Sequence, residues 1–463
     1  MGDLRERDDL RERVVAVWRR TFSLSWPIAV QQTFTTLMRT VDIIVTGLFS
    51  PAAVAAVGLA DLYAQIPLRI GLGLGTGAIA LSSQDTGRGA TGVRDRAITQ
   101  ALLMGFLLGL PLIVVGVAFS QFLIAVLGAE SEVVQLGAAY LTLVFAASPM
   151  RIVGLVGARA LQGTGDTRTP MIVNGSANAL NIVLTVGLGL GVWIFPRLTI
   201  VGVGLATAIA RTFEAVTITA AIAHHRTEPS LARPRDLTIT RQLVAVSLPN
   251  FAEGMSTSVA NFPFNAILLM FGTEVNAAYH IARRIYQQLT GPVYRALSTA
   301  ASIVVGQTLG EGDPEGARFE GFAITALGVI TLGLAGVALV VGAAPLGRLF
   351  TSDAETLEYA VTFTRVFGVS MLAFGVFFPI AGSLRGAGDT RTPFYARLTG
   401  TFGFMLGFGY LFGIVLDYGL VGIYAGMVLS YVWWSGVVAA GFLWGGWAEK
   451  AAEMMAERGE VSD

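Results

Sequence analysis

The sequence predicts an all-α integral membrane protein with twelve transmembrane helices in two six-helix lobes, related by a pseudo-two-fold axis along the membrane normal. Of its 463 residues, 54% are hydrophobic and only 13% are charged, which is more apolar surface than a soluble fold of this size can bury. Twelve apolar stretches approach or exceed the roughly 20 residues that a helix needs to cross the hydrocarbon layer. A ten-residue segment also occurs twice, which indicates duplicated halves.

The duplicated segment reads LQGTGDTRTP at residues 161–170 and LRGAGDTRTP at residues 384–393. Other landmarks repeat at nearly the same spacing: Pro27 with Pro249, and Gln84-x-x-Gly87 with Gln307-x-x-Gly310. Six spans per half is an even number, so both halves enter the membrane in the same direction, and the axis relating them runs along the membrane normal. In each repeated segment we expect Thr169 or Thr392 to cap the following helix and a proline to occupy its first turn.

Gly, Pro and charge clusters divide the chain into spans. We expect the spans at residues 22–48, 53–81, 98–127, 133–161, 170–194 and 200–223 of the first half and 242–271, 277–305, 322–346, 357–384, 393–416 and 420–443 of the second. Residues 1–20 then form an N-terminal tail, 21–223 the N-lobe, 224–241 the inter-lobe linker, 242–446 the C-lobe and 447–463 a C-terminal tail.

Arginines are concentrated in the tail and in the even-numbered loops. The positive-inside rule therefore places both termini and the linker in the cytoplasm. The N-terminus alternates acids and bases and lacks the apolar core of a signal peptide, so we expect the tail to be retained. The expected location is the plasma membrane, with the lipid bilayer as the principal partner and the protein as a monomer.

Several functional classes are disfavoured. The net charge is zero, whereas a nucleic-acid partner requires a basic surface. There is no Cys, which excludes disulfides and thiolate metal sites. We find no P-loop and no His-Glu-x-x-His motif, which argues against an ATP-driven pump and against an enzyme. We therefore expect no catalytic residues and no cofactor.

Span one carries a polar stripe. Gln31, Thr35, Asp42 and Thr46 fall on one face of a helix, and a charge at mid-membrane needs a partner or a function. Asp42 is the leading candidate for the functional carboxylate. The alternative is a structural ion pair with Arg39, one turn away.

Spans five and six carry matching stripes. Asn174, Asn178, Asn181 and Thr185 recur at helical spacing on span five. They form either a cation or substrate site or a set of interhelical hydrogen bonds that serve packing alone. On span six Thr207 shares a face with Arg211 and Glu214, and the latter two are expected to form a structural pair. With a helical rise of 1.5 Å per residue, Asp42, Thr185 and Thr207 reach the same depth.

The chain resembles the multidrug and toxic compound extrusion (MATE) family. The resemblance lies in the Gly-x-Gly-Asp-Thr-Arg-Thr-Pro pattern after spans four and ten, the Gln-x-x-Gly elements after spans two and eight, and Asp42 late in span one. It covers nearly the whole chain. Membership implies a V-shaped antiporter with two lobes around a central cavity, which exports organic, often cationic, drug-like compounds in exchange for H⁺ or Na⁺.

The resemblance also implies a cation site in the N-lobe. The archaeal and related bacterial branch has an acidic residue on span one, an Asn and an Asp four residues apart on span five, and a Thr on span six. Asp42, Asn181 and Thr207 match that pattern, with Asn178 on the same stripe, but Thr185 stands in place of the second carboxylate. A lone carboxylate favours H⁺ carried on Asp42 over Na⁺, which needs several oxygen ligands, here from Asp42, Asn181 and Thr207.

In the second half, the family's bacterial and eukaryotic branches place a glutamate on span seven, further along than Glu253 and nearer Thr257. Glu253 either lines the cytoplasmic part of the cavity or pairs with Arg295 on span eight. Gln31, Thr35 and Tyr286 complete the candidate cavity residues. The ring of Tyr286 attracts cations if it faces the cavity, and core packing is the alternative.

Secondary multidrug efflux is thus the predicted function. The competing hypothesis is a flippase for lipid-linked saccharides of the same superfamily, which would need cationic residues to hold a pyrophosphate. The arginines available within the spans are Arg39, Arg69, Arg151, Arg159 and Arg295.

Overall fold

The computed structural model describes residues 2–234 and 237–460, and within them the chain is helical apart from short connections. The first half contains α1 (Gly2–Gly47), α2 (Pro51–Gly87), α3 (Thr91–Ala125), α4 (Ser131–Ala146), α5 (Ser148–Gly163), α6 (Arg168–Leu190) and α7 (Thr199–Ala223). The second contains α8 (Leu237–Leu269), α9 (Thr273–Gly310), α10 (Pro314–Val341), α11 (Ala343–Arg348), α12 (Ala354–Gly386), α13 (Arg391–Thr399), two π-helical segments (Gly400–Phe408 and Leu411–Val415), α14 (Leu420–Trp444) and α15 (Trp447–Glu460).

The two predicted tails and the last part of the predicted linker are helical where the structure describes them. The expected tail of residues 1–20 is the start of α1, and the last residues of the expected linker are the start of α8. Met1, Arg235, Asp236 and the last three residues, which the sequence analysis assigns to the tails and the linker, lie outside the described residues.

Most of the predicted spans are present as long apolar helices. Among the described residues, eight helices are long and apolar enough to cross a membrane, and α4 with α5 makes a ninth as a bent pair. The helices α1, α8 and α9 are also long enough to cross a membrane, at 46, 33 and 38 residues, but are more polar. These elements account for all twelve expected spans.

Three spans are interrupted, contrary to the continuous helices that the sequence predicts. Span four bends by 49° between α4 and α5, where Pro149 begins the second helix and supplies no backbone N–H to continue the first. Span nine ends at Val341 and continues as the short α11. Span eleven passes from α-helix to π-helix at Gly400. Such π segments are rare and occur frequently at functional sites.

The chain divides into two compact units, each with its own apolar core. One unit, here called the N unit, comprises Val30–Ser247 and the end of the chain from Arg458; the other, the C unit, comprises the chain up to Ala29 and Leu248–Glu457. The core of the C unit is rich in aromatic rings from α9, α12 and α14, whereas the N-unit core is mainly aliphatic. The helices α1, α8 and α15 each contribute residues to both units.

The duplicated segments form matching turns, although the capping residues differ from the prediction. Thr169 and Thr392 do not cap the helices; instead Asp166 and Asp389 accept the first backbone N–H groups. Asp166 Oδ1 accepts from the backbone nitrogens of Arg168 at 3.1 Å and Thr169 at 2.9 Å. Asp389 Oδ1 accepts from those of Arg391 and Thr392 at 3.2 and 3.3 Å. A carboxylate ahead of the helix start reaches these donors better than a hydroxyl already within the first turn.

Within the C unit α9 and α12 approach closely through two glycines of α12. A Cβ atom on Gly382 would lie 2.1 Å from the carbonyl oxygen of Ser298, and one on Gly386 would lie 2.2 Å from that of Ser302. The spacing Gly-x-x-x-Gly lets the two backbones pack against each other, as in membrane helix pairs generally.

An arginine from a terminal helix binds each copy of the Gln-x-x-Gly element. In the C unit, Arg20 of α1 donates to Gln307 Oε1 at 2.8 Å and pairs with Glu320 at 3.2 Å. In the N unit, Arg458 of α15 donates to Gln84 and Asp85 at 3.0 Å each and to Gln242 at 2.6 Å, and its side chain is fully buried. Both ends of the chain are thereby attached to helical bundles.

Candidate functional site

Asp42 lies in a cluster formed by α1, α6 and α7 of the N unit. Thr185 Oγ1 donates to Asp42 Oδ1 at 2.9 Å. The Asn181 side chain is fully buried between Asp42 and Thr207. With its amide nitrogen turned toward Asp42, Asn181 donates to Asp42 Oδ1 at 3.1 Å, and its carbonyl accepts from the backbone N–H of Thr207 at 3.3 Å. Four of the five residues predicted for the cation site, Asp42, Asn181, Thr185 and Thr207, therefore lie together, whereas the fifth, Asn178, bonds Asn174 on the same helix.

A second part of the stripe connects α6 with the charged pair on α7. Asn174 donates to Glu214 Oε1 at 2.8 Å and accepts from Asn178 at 2.8 Å. Arg211 donates to Glu214 Oε2 at 2.6 Å, so the two side chains form the pair that the sequence predicts. Arg211 also reaches Asn178 Oδ1 at 3.5 Å. A charge pair of this kind is stabilised only when further hydrogen bonds satisfy its remaining atoms, and the asparagines do so here.

The stripe on α1 faces the same asparagines. Thr35 Oγ1 lies 3.4 Å from Asn174 Oδ1 and 3.4 Å from Asn178 Nδ2. Gln31, one turn earlier, accepts from Gln162 at 3.2 Å. The polar stripes of spans one and five therefore face each other and other protein groups.

The alternative partner for Asp42 is not found. Arg39 and Asp42 form no ion pair within 4.0 Å in the described part of the chain, and the groups bonded to the Asp42 carboxylate are a hydroxyl and an amide. Thr46 hydrogen-bonds the backbone oxygen of Asp42 at 2.6 Å rather than its carboxylate. The carboxylate is therefore held by neutral donors.

The cluster contains one carboxylate and several neutral oxygens. Among the described residues no group of three or more His, Cys, Asp or Glu side chains could hold a metal ion. A Na⁺ ion bound here would take its other oxygen ligands from Asn181, Thr185 and Thr207, which is chemically suitable for a hard cation. A proton needs Asp42 alone.

One further carboxylate was missed by the sequence analysis. Asp61 on α2 interacts electrostatically with Asp42, and also with Arg39 and Arg151. Arg151 in turn donates to the backbone oxygen of Ala64 at 3.2 Å, one turn along α2. The available signal was an acidic residue inside an otherwise apolar span.

In the C unit Glu253 has partners other than the predicted Arg295. Both oxygens of Glu253 accept from Arg385 Nη2, at 2.9 and 2.8 Å, and Oε1 also lies 3.2 Å from Arg397 Nη1. Arg295 instead lies with its guanidinium 5.7 Å from the ring centre of Tyr294. The sequence favours Arg295 because it lies at a similar depth on the neighbouring span. The actual partners come from α12 and α13, which are distant in the sequence.

The remaining cavity candidates of the second half are mostly in the core. Tyr286 is buried and stacks on Phe367 with ring centres 4.2 Å apart, so packing is the role that the structure supports. Thr257 hydrogen-bonds the backbone oxygen of Glu253 at 2.9 Å. Both residues belong to the C unit, whereas the Asp42 cluster belongs to the N unit.

Comparison with known proteins finds a matching family model and relatives that align along nearly the whole chain. A model described as MatE matches residues 27–186 and 249–415. A protein of Thermotoga maritima named probable multidrug resistance protein NorM is 25% identical, covering 97% of each chain. One of the same name from Rhodopseudomonas palustris is 29% identical, covering 93% of this chain and 92% of the relative.

Solved structures show the same fold. A crystal structure of MATE in the bent conformation has a TM-score of 0.86 at 20% identity, covering 97% of this chain and 99% of the other. A MOP superfamily transporter from Pyrococcus furiosus has a TM-score of 0.84 at 20% identity, covering 94% and 96%. The predicted fold class, an all-α membrane protein with twelve spans in two lobes, is confirmed.

Proposed function

We propose that this chain, which belongs to the MatE family, exports small organic compounds, often cationic, from the cytoplasm in exchange for H⁺. The names of the relatives, which identify multidrug resistance proteins, support this substrate class. The observation that carries the proposal is the Asp42 carboxylate, held by Thr185 and Asn181 where α1 meets α6.

A proton on Asp42 changes the packing of these helices. The ionised carboxylate accepts hydrogen bonds from Thr185 and Asn181. Protonation removes the charge that strengthens both bonds and adds a donor that needs an acceptor of its own. The contact between α1 and α6 therefore has two states, and an antiporter needs such an element to alternate access to its substrate.

The same cluster explains the exchange of substrate for the ion. A cationic compound near Asp42 favours the ionised carboxylate, and a proton arriving from outside neutralises it. Bound proton and bound cation are then mutually exclusive. Na⁺ would act in the same way with Asn181, Thr185 and Thr207 as additional ligands, but the single carboxylate gives it less charge compensation than a paired site.

The test is uptake of ethidium into everted vesicles, which corresponds to export from the cytoplasm, comparing the wild type with Asp42→Asn. We expect the variant to lose gradient-driven transport, because an amide cannot carry the proton. Asp353→Asn is the matched control, since Asp353 caps α12 outside the spans and bonds the backbone of Thr356. Full transport by Asp42→Asn would overturn the proposal.

The coupling ion is tested in proteoliposomes. With an imposed pH gradient and no Na⁺, we expect uptake or extrusion at the full rate; with a Na⁺ gradient and equal pH, we expect little transport. The opposite result would assign Na⁺ to the cluster. Absence of dye transport under both gradients, in protein that is shown to be folded, would favour the lipid-linked saccharide flippase instead.

A further inference from the structure

A polar pocket lies between α3 and α4, and the proposed proton exchange does not use it. Its volume is about 420 Å³, which is typical of small-ligand sites. Two hydroxyls, of Ser120 and Thr142, and two amides, of Gln121 and Gln135, line it together with three alanines and one valine. All of these residues belong to the N unit. Four hydrogen-bonding side chains thus converge on one cavity.

One wall of the pocket belongs to an exposed apolar face of α3. Val114, Val117 and Gln121 recur at i, i+3 and i+7, so they share a face of this helix. The two valines are 63% and 68% exposed, and the neighbouring Phe122 is 65% exposed. Because α3 is long and apolar enough to cross a membrane, a continuous exposed apolar face of this kind contacts lipid. Gln121 therefore lies on the side of α3 that lipid reaches.

The two glutamines lie close to the ends of their helices. Gln121 is four residues before Ala125, where α3 ends. Gln135 is four residues after Ser131, where α4 begins. At a rise of 1.5 Å per residue, each lies about 6 Å from its helix end, a depth at which lipid headgroups meet the acyl chains. Within residues 2–234 and 237–460 neither side chain has a hydrogen-bond partner, so both amides are available to a headgroup.

The two hydroxyls of the pocket present oxygen lone pairs. Ser120 and Thr142 both donate to the backbone oxygen of Gly116, Thr142 at 3.0 Å, and their own oxygens lie 2.8 Å apart. Thr142 also lies 2.8 Å from the backbone oxygen of Ala138. A hydroxyl has one proton and two lone pairs. Since the protons are directed to the backbone, the hydroxyls can only accept from a ligand.

The charges around the pocket favour a cationic group. No residue that lines it is charged. Residues 121–139, which connect the two helices and form the mouth of the pocket, contain Glu130 and Glu132 but no Lys or Arg. Glu132 is exposed and lies three residues before Gln135, so the two share a face of α4. An ammonium would find oxygen acceptors and a nearby carboxylate here, whereas an anion without an ammonium would find no positive partner.

We propose that this α3–α4 pocket binds the headgroup of a phospholipid with a primary ammonium, such as phosphatidylethanolamine. The ammonium donates to the amide oxygens of Gln121 and Gln135 and to the hydroxyls, and the amide N–H groups donate to the phosphate. The acyl chains lie along the exposed valines of α3. A trimethylammonium headgroup carries the same charge but has no N–H to donate, so the site distinguishes the two lipids by hydrogen bonding alone.

The test measures lipid binding to the purified full chain by native mass spectrometry. We expect phosphatidylethanolamine to bind about tenfold more tightly than phosphatidylcholine with the same acyl chains. Combining Gln121→Leu with Gln135→Leu should bring the ratio of the two dissociation constants close to one. The control Gln288→Leu, at an exposed glutamine of α9, should leave the ratio unchanged. A ratio that persists in the folded double variant, or tighter binding of phosphatidylglycerol by the wild type, overturns the site.

A second variant tests the contribution of charge. Glu132→Gln removes the carboxylate nearest to the glutamines on α4, so we expect the dissociation constant for phosphatidylethanolamine to rise about threefold. The control is Glu355→Gln, at an exposed acid in the first turn of α12, which should bind as the wild type does. Equal effects of the two substitutions would contradict an ammonium at this end of the pocket.

Two other occupants give different results in the same experiment. Glycerophosphoethanolamine has the same headgroup without acyl chains, and its displacement of the lipid at equal concentration would show that the pocket takes a soluble amine. The spectra also report the oligomeric state. Conversion of a dimer to a monomer by the double variant, with lipid adducts unchanged, would assign this face to a second copy of the chain. Either result overturns the lipid site.

Discussion

Substitution of Arg458 by Met tests whether the C-terminal helix is held by its buried arginine. The side chain has no exposed surface and donates to Gln84, Asp85 and Gln242. Methionine fills much of the volume of the stem but provides no donor. The variant therefore leaves two amide oxygens and one carboxylate oxygen without this partner.

The expected cost follows from the remaining contacts. Removing one partner of a buried ion pair lowers the stability of the folded state by about 3 to 5 kcal/mol. Asp85 keeps a second partner, since Arg88 lies 2.8 Å from the same carboxylate oxygen, so the lower end of that range applies. A loss of about 3 kcal/mol corresponds to a roughly 150-fold increase in the population of the detached helix end.

Hydrogen exchange measured by mass spectrometry reports this population directly, because amides exchange through local opening. In Arg458→Met, peptides from the second half of α15 should exchange roughly 150-fold faster than in the wild type. Lys450→Met is the matched control on the same helix. Its ammonium lies 3.9 Å from Asp389 and is 40% exposed, so it contributes little. Exchange in Arg458→Met within about threefold of the wild type would refute the reasoning.

Two further substitutions test the cluster and the helix packing. Thr185→Val removes one donor to Asp42. A hydrogen bond to a charged group contributes about 1.5 to 3 kcal/mol, so we expect the initial rate of ethidium transport to fall by about tenfold to 150-fold. The control is Thr212→Val, at an exposed hydroxyl that donates to the backbone oxygen of Ala208 in its own helix at 2.8 Å. It should transport normally, and equal rates in the two variants would contradict the site. Gly382→Val places side-chain atoms against the backbone of Ser298. We expect a loss of stability in detergent of about 1 to 3 kcal/mol, or failure to fold. Wild-type stability of this variant would show that α9 and α12 can separate.

Local patterns in the sequence predicted much of the N-unit cluster. Helical periodicity was sufficient to place Asn181 and Thr185 on one face of α6, and equal depth placed Asp42 opposite them. Both inferences depend only on the geometry of a straight helix in a layer of fixed thickness. The same reasoning missed Asp61, because a lone acid on an apolar helix has no periodic partner in the sequence.

The C-unit contacts depend on tertiary packing and could not be read from spacing. Glu253 binds Arg385 and Arg397, which lie on α12 and α13 more than a hundred residues away in the chain. The direction in which each arginine turns is set by the bend and rotation of those helices. Span eleven also changes from α-helix to π-helix at Gly400, and no residue pattern in the sequence indicates where this change occurs.

The exchange of terminal segments between the units has a consequence for biosynthesis. The chain is made from the N-terminus onward, yet residues up to Ala29 belong with Leu248–Glu457, and Arg458 belongs with Val30–Ser247. The start of α1 therefore packs with helices that are translated much later, and the N unit receives Arg458 only after the helices of the C unit have been translated. Correct packing of both units thus depends on segments that are far apart in the order of synthesis.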